Sequence, residues 1–142
     1  ISLFPWIATV DAFQHWIYTS PEHSVEDRDN AWNGLLDRFG GDIDWGDYHA
    51  ARTKMWHRQS HIFLVPFYYI EYGIAQLGAL GVWNNSKSDR PKALSDYKKA
   101  LALGGSRPLP ELFAAANIPF SFDTEAFKPL IELVQTELAA LK

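Results

Sequence analysis

The sequence predicts an all-α protein of about six helices. Three observations carry this. Apolar residues recur at three- and four-residue intervals in several separate stretches. Clusters of Gly, Pro, Ser and Asn punctuate those stretches. No segment shows the polar/apolar alternation of a half-buried strand. For 142 residues a single helical domain over 1–142 is the expectation.

The first helix follows from Phe4, Trp6, Ile7, Val10, Phe13, Trp16 and Ile17, one apolar stripe beside which Asp11 and His15 sit four apart. That pair reads as a solvated or interhelical contact rather than part of a site. Ser20-Pro21-Glu22-His23-Ser24 ends this helix, and Ser24 with Asp27 resembles a capping box. Trp32, Leu35, Leu36 and Phe39 give the apolar side of the second helix, and Gly40-Gly41 stops it. The acidic loop Asp42–Tyr48 lacks the regular oxygen spacing and closing Glu of a calcium loop, and reads as solvated. His49–Gln59 reads as a polar helix leading into the central stretch.

That central stretch, Ser60–Trp83, is the longest apolar run in the chain, yet it carries His61, Glu71 and three tyrosines. Pro66 suits the first turn of a helix. Counted from there, Tyr69 and Tyr72 lie three apart on one face, with Tyr68 and Glu71 similarly related. A charge buried in such a run would need a partner or a polar cavity, so Glu71 is expected to have one. Ala75, Gly78, Ala79 and Gly81 would let another backbone approach. On the residues alone, the tyrosines are either core side chains with satisfied hydroxyls or donors into a cleft. The helix is expected to end at Trp83, with Asn84–Ser88 as the turn. A further helix from Pro91 breaks at Gly104-Gly105-Ser106, where glycine allows positive φ or close backbone approach. A short helix over Glu111–Ala116 follows. Asp123 or Thr124 caps the last one, whose stripe of Phe127, Leu130, Ile131, Val134 and Leu138 contains Pro129, so that it starts late or kinks there.

The composition excludes several function classes. Thirteen basic against seventeen acidic residues leave no basic stripe for nucleic acid. Glu71, Gln76 and the glycines argue against a membrane span. No cysteine means no disulfide framework and no thiol nucleophile, which suits a reducing, cytoplasmic setting. His57 and His61 stand four apart, a spacing that can hold zinc, but Arg58 occupies the place where a hydrolytic H-E-x-x-H needs its Glu base. No metal ligand is therefore assigned. Ile1 at the start suits a processed product or a piece of a longer protein.

Four stretches, PWIATVDAFQHWIY, SPEHS, HIFLVPFYYIEYGIAQLGAL and ALALGGSRPLPELFAAANI, taken in order and spacing, resemble the C-terminal part of oligoendopeptidase F-type enzymes, of the thimet oligopeptidase superfamily of zinc metallopeptidases. The resemblance runs from Phe4 to Leu138. It implies the C-terminal helical lobe of a larger, mostly helical metallopeptidase fold enclosing a channel in which short peptides are hydrolysed. It implies His61, Tyr69 and Tyr72 as catalytic contacts to the oxyanion and substrate backbone, with Tyr68 a substitute or further substrate contact. It matches Gly104, Gly105 and Ser106 to a glycine-rich turn near the channel. The family's zinc ligands lie upstream of the matching stretch, and no H-E-x-x-H occurs here. The implied partners are therefore a short peptide and the N-terminal part of a peptidase, with self-association through an exposed docking face when that part is missing. The zinc would belong to the full-length enzyme. The alternative is a non-catalytic helical peptide-binding or scaffolding module of the same descent.

Overall fold

A computed structural model describes residues 2–141. Among them there is no strand, and eight α-helices form rather than about six: α1 (Leu3–Thr19), α2 (Val25–Phe39), α3 (His49–Thr53), α4 (His61–Leu64), α5 (Ile70–Ser88), α6 (Arg90–Leu103), α7 (Leu109–Ala115) and α8 (Thr124–Ala140). The higher number comes from the approach to the central stretch. His49–Gln59 is not one helix but α3 followed by a 3-10 turn at Met55–Arg58, and α4 is a separate single turn. Val65 is extended at φ −143° because the ring of Pro66 disfavours helical backbone in the residue before it. At its other end the central helix overruns its expected stop at Trp83 and reaches Ser88. No helix is long and apolar enough to cross a membrane among the described residues.

The chain divides into two compact units, residues 1–74 and 75–142. In the first, α1 packs on α2, and aromatic rings fill the core. Phe13 is fully buried, with Trp32 at 5.1 Å and 71° and Trp56 at 5.6 Å, while Trp6 meets Trp32 edge-on at 5.5 Å. Such edge-to-face pairs add to plain area burial. The ring edges carry polar bonds: Trp32 Nε1 donates to the Arg52 carbonyl at 3.2 Å. Arg52 in turn donates to Asn33 and Asp37, which ties α3 to α2. The capping box at the start of α2 forms as expected. Ser24 Oγ accepts from Asp27 N, while the Asp27 carboxylate accepts from Ser24 N and from Ser24 Oγ, two bonds that hold it below the usual range. Asp11 and His15 lie 3.7 Å apart at the surface.

One buried polar side chain shapes this unit. Val65-Pro66-Phe67-Tyr68 is a turn closed by a 3.1 Å bond from Tyr68 N to Val65 O, with Phe67 at φ +60°. Proline second and positive φ third define a type II turn, whose third place normally takes Gly or Asn. Placing Phe there costs about 1–2 kcal/mol. Gln14, with no exposed surface, accepts the Phe67 N–H on Oε1 at 3.2 Å. In a type I turn that peptide plane faces the other way, so the glutamine selects the strained form. Phe67 also rests its ring on His15 and Tyr18, at 5.0 and 5.1 Å.

The second unit is built on small residues. A Cβ on Gly81 would stand 2.7 Å from Ile118, and one on Gly78 would stand 3.1 Å from the Phe113 ring. The small residues of α5 thus receive side chains, not the second backbone expected of them. Ala93, Ala116, Ile118 and Val134 are buried here. Asn85 donates to the Asn117 carbonyl at 2.8 Å and Lys87 pairs with Glu137 at 2.7 Å, which accounts for the helix continuing past Trp83. Asp123 caps α8 by accepting from Ala126 N, and Pro129 lies inside that helix rather than before it.

Candidate functional site

The candidate residues of the first unit meet around His61, at the start of α4. Its Nε2 lies 3.2 Å from Tyr72 Oη, and its Nδ1 lies 2.6 Å from Gln59 Nε2. Tyr69 and Tyr72 both stand edge-on to the imidazole, at 5.0 and 5.7 Å, and Tyr68 stacks on it at 6.1 Å. The tyrosines differ in exposure. Tyr69 is 9% exposed and belongs to the core, whereas Tyr72 and Tyr68 are 37% and 48% exposed. Local structure explains the division. Tyr68 and Tyr69 belong to the turn region before α5, and Tyr72 lies in its first helical turn. The strained turn at Phe67 therefore aims all three at one imidazole. The helix does not begin at Pro66, as the sequence spacing suggested; it begins four residues later.

Chemically this is a hydrogen-bonding site with two surface phenols. A phenol is both donor and acceptor and stays neutral near pH 7. Glu71, expected to need a buried partner, is instead exposed, so water solvates its charge. Two functional candidates escaped the sequence reading: Gln59, which touches His61, and Trp6, whose Nε1 donates to Gln59 Oε1 at 3.1 Å. Their side-chain types carry no motif, and their sequence separation of 53 residues hides the pairing.

Gly104, Gly105 and Ser106 lie in the second unit, where they end α6. Gly104 takes φ +54°, and its N–H bonds to Leu101 O. Ser106 donates through Oγ to Leu103 O at 2.6 Å. A Cβ on Gly105 would meet nothing within 4 Å, so close backbone approach does not explain that residue. The same unit holds an apolar cleft of about 510 Å³, with Val82, Tyr97, Leu101, Leu109 and Phe113 in its wall.

The described residues do not form a metal centre. They contain no group of three or more His, Cys, Asp or Glu placed to hold an ion. His57 and His61 fail as a pair because no continuous helix joins them: the 3-10 turn stops at Arg58, and Gln59 leaves helical geometry at ψ 85°. His57 lies instead against Trp56, with centroids 3.9 Å apart.

Comparison with known proteins agrees with the resemblance seen in the sequence. The family model described as peptidase family M3 matches residues 2–128. A solved structure described as oligoendopeptidase F is 33% identical, superposes with a TM-score of 0.87, and is matched over 96% of this chain and 24% of its own. A PZ peptidase A with an inhibitor is 31% identical with a TM-score of 0.88, matched over 97% of this chain and 25% of its own. The chain therefore spans about a quarter of the length of these structures. No curated protein matches. With the family model covering most of its length, this chain belongs to peptidase family M3.

Proposed function

We propose that this chain is the C-terminal catalytic-lobe part of a zinc-dependent oligoendopeptidase that hydrolyses short peptides. It supplies contacts to the substrate and to the oxyanion, and it does not supply the metal site. The observation that carries this reading is the His61–Tyr72 pair, an imidazole and a phenol 3.2 Å apart at the surface. Such a pair can hold the oxygen on which charge develops as a peptide carbonyl becomes tetrahedral, the phenol donating to that oxygen and the imidazole holding the phenol. A preorganised donor at that oxygen is worth about 3 kcal/mol in the barrier. Tyr69 forms the wall behind His61, and Tyr68 flanks the pair where a peptide backbone would pass. Gly104, Gly105 and Ser106 are proposed as further substrate contacts, on the strength of the sequence resemblance.

Peptidases of family M3 are in general zinc-dependent. Among the described residues no group of three or more His, Cys, Asp or Glu is placed to hold such an ion. The metal and its general base would come from the part of such a peptidase that these residues do not match. The apolar run Phe63, Leu64, Val65 and Phe67, 40–77% exposed, supports a docking face for that part. An exposed surface of this kind would also favour self-association of the isolated chain.

The test is zinc stoichiometry and cleavage of a quenched fluorescent peptide, measured first on the 142-residue chain and then on the longer protein. The reading expects neither zinc nor cleavage from the chain alone. In the longer, active protein, Tyr72→Phe should lower kcat about 100-fold with little change in KM. One zinc per isolated chain, with cleavage, would overturn it. So would an active longer protein indifferent to Tyr72→Phe. Peptide binding without cleavage by the longer protein would favour the scaffolding alternative.

A further inference from the structure

We infer that Gln59 and Trp6 are positioning residues, which set the tautomer of His61 and so turn the hydroxyl proton of Tyr72 toward the substrate. This rests on the oxyanion reading given above for His61 and Tyr72. Tryptophan Nε1–H can only donate, and it lies 3.1 Å from the Gln59 side chain. The atom of Gln59 facing it must therefore be the carbonyl oxygen. Turning the amide over would set two donors against each other. With Oε1 held by Trp6, the Gln59 NH₂ group faces His61 Nδ1 at 2.6 Å. An NH₂ also only donates, so Nδ1 must accept and carries no proton. The proton of the neutral ring then sits on Nε2, which faces Tyr72 Oη at 3.2 Å. The imidazole donates to the phenol oxygen, and the phenol's own proton has no use inside the cluster. It is left to point outward.

The chain of donors thus runs in one direction, from Trp6 through Gln59 and His61 to Tyr72. The indole, which can only donate, sets the direction of every later link. The opposite tautomer would put the proton on Nδ1, and Nε2 would then accept from Tyr72. The phenol would spend its proton inward and offer only lone pairs to an oxyanion, which repel it. A second neighbour of His61 does not compete, because Tyr69 and Tyr68 meet the ring through their own rings and not through a hydrogen bond to its nitrogens. Second neighbours that fix a histidine's tautomer are a general device for setting what its other nitrogen does.

The tautomer can be read without any activity. The protein is labelled with ¹⁵N-histidine, and long-range ¹⁵N–¹H correlations give the shifts of both ring nitrogens, with His61 assigned by the loss of its signals in His61→Gln. The expected result, at a pH where the ring is neutral, is a wide separation of the two nitrogens, with the protonated one at Nε2. Gln59→Leu should collapse that separation toward the average of two exchanging tautomers. Trp6→Phe, which keeps a ring against Trp32, should do so in part, because the amide is then free to turn over. A wild-type ring protonated at Nδ1 would overturn the inference even if both variants fail to fold. So would folded Gln59→Leu, with an unchanged circular dichroism spectrum, that keeps the wild-type separation. In the longer, active protein Gln59→Leu should lower kcat several-fold with KM held. If Tyr72→Phe leaves kcat unchanged while the shifts behave as expected, the oxyanion reading fails and the tautomer relay stands.

Discussion

The two units reach burial by opposite means. Residues 2–74 pack large rings edge to face, and the edges double as donors: Trp32 to the Arg52 carbonyl, Trp6 to Gln59. Residues 75–141 pack side chains into positions where a helix has none, Phe113 over Gly78 and Ile118 over Gly81. A ring with a polar edge can fill a core and orient a neighbouring side chain at once. A glycine can only make room. The hydrogen-bonded site accordingly lies in the unit with the ring edges, and the second unit offers an apolar cleft instead.

Truncating a ring should produce the largest effect. Trp32→Ala, at a position with no exposed surface, should cost about 3–5 kcal/mol in urea denaturation, and the His61 tautomer signature should vanish at the same, lower urea concentration as the fold. If it costs no more than a surface change, the aromatic core is misread. Next comes the buried clamp. Gln14→Leu leaves the Phe67 N–H without its acceptor and should cost about 1–3 kcal/mol. Phe67→Gly in the same background should recover part of that by removing the positive-φ strain, and two simply additive losses would refute the clamp.

In the second unit the sign of the change is reversed, because adding atoms should hurt. Gly81→Ala meets Ile118 at 2.7 Å and should cost about 1–3 kcal/mol. Adding Ile118→Ala, which removes the Cγ2 that the new methyl meets, should relieve most of the clash, so the double variant should be more stable than the sum of the two singles predicts. A neutral Gly81→Ala would show that this unit can yield where the first cannot. The smallest effect expected is electrostatic. Hydrogen bonds from Lys92 and Lys99 hold the Asp96 carboxyl below its usual range. Such a carboxylate stabilises the fold above its unfolded pKa, about 3.9, and that contribution is lost as pH falls through the folded value. Asp96→Asn should therefore lower the thermal midpoint near pH 7, and the gap from wild type should close as the pH drops below 4. A gap independent of pH would remove the charge from the explanation.

Much of the helical framework was legible because its signals are local. The apolar stripe of α1, the Ser24–Asp27 cap, the Gly104 stop and the Asp123 cap each lie within a few residues of what they control. The misjudged places answer to distant contacts. Asn84, Asn85 and Ser86 are poor helix formers on their own, yet Asn117 and Glu137 hold α5 through them to Ser88. Pro66 marks the break at Val65 locally, but the positive φ of Phe67 that delays the helix depends on Gln14, 53 residues away. The grouping of His61 with its tyrosines came from the family resemblance, whereas the glutamine behind it left no trace in the local pattern.

The Phe67 turn also acts as a phase setting. Each residue of an α-helix advances the side chain by about 100°, and α5 starts only three residues after Phe67. One residue more in that turn would bring Glu71 to the angle now held by Tyr72, and one fewer would bring Gly73. A carboxylate there would repel an oxyanion, and a glycine would offer it nothing. The length of a surface turn decides which side chain His61 faces.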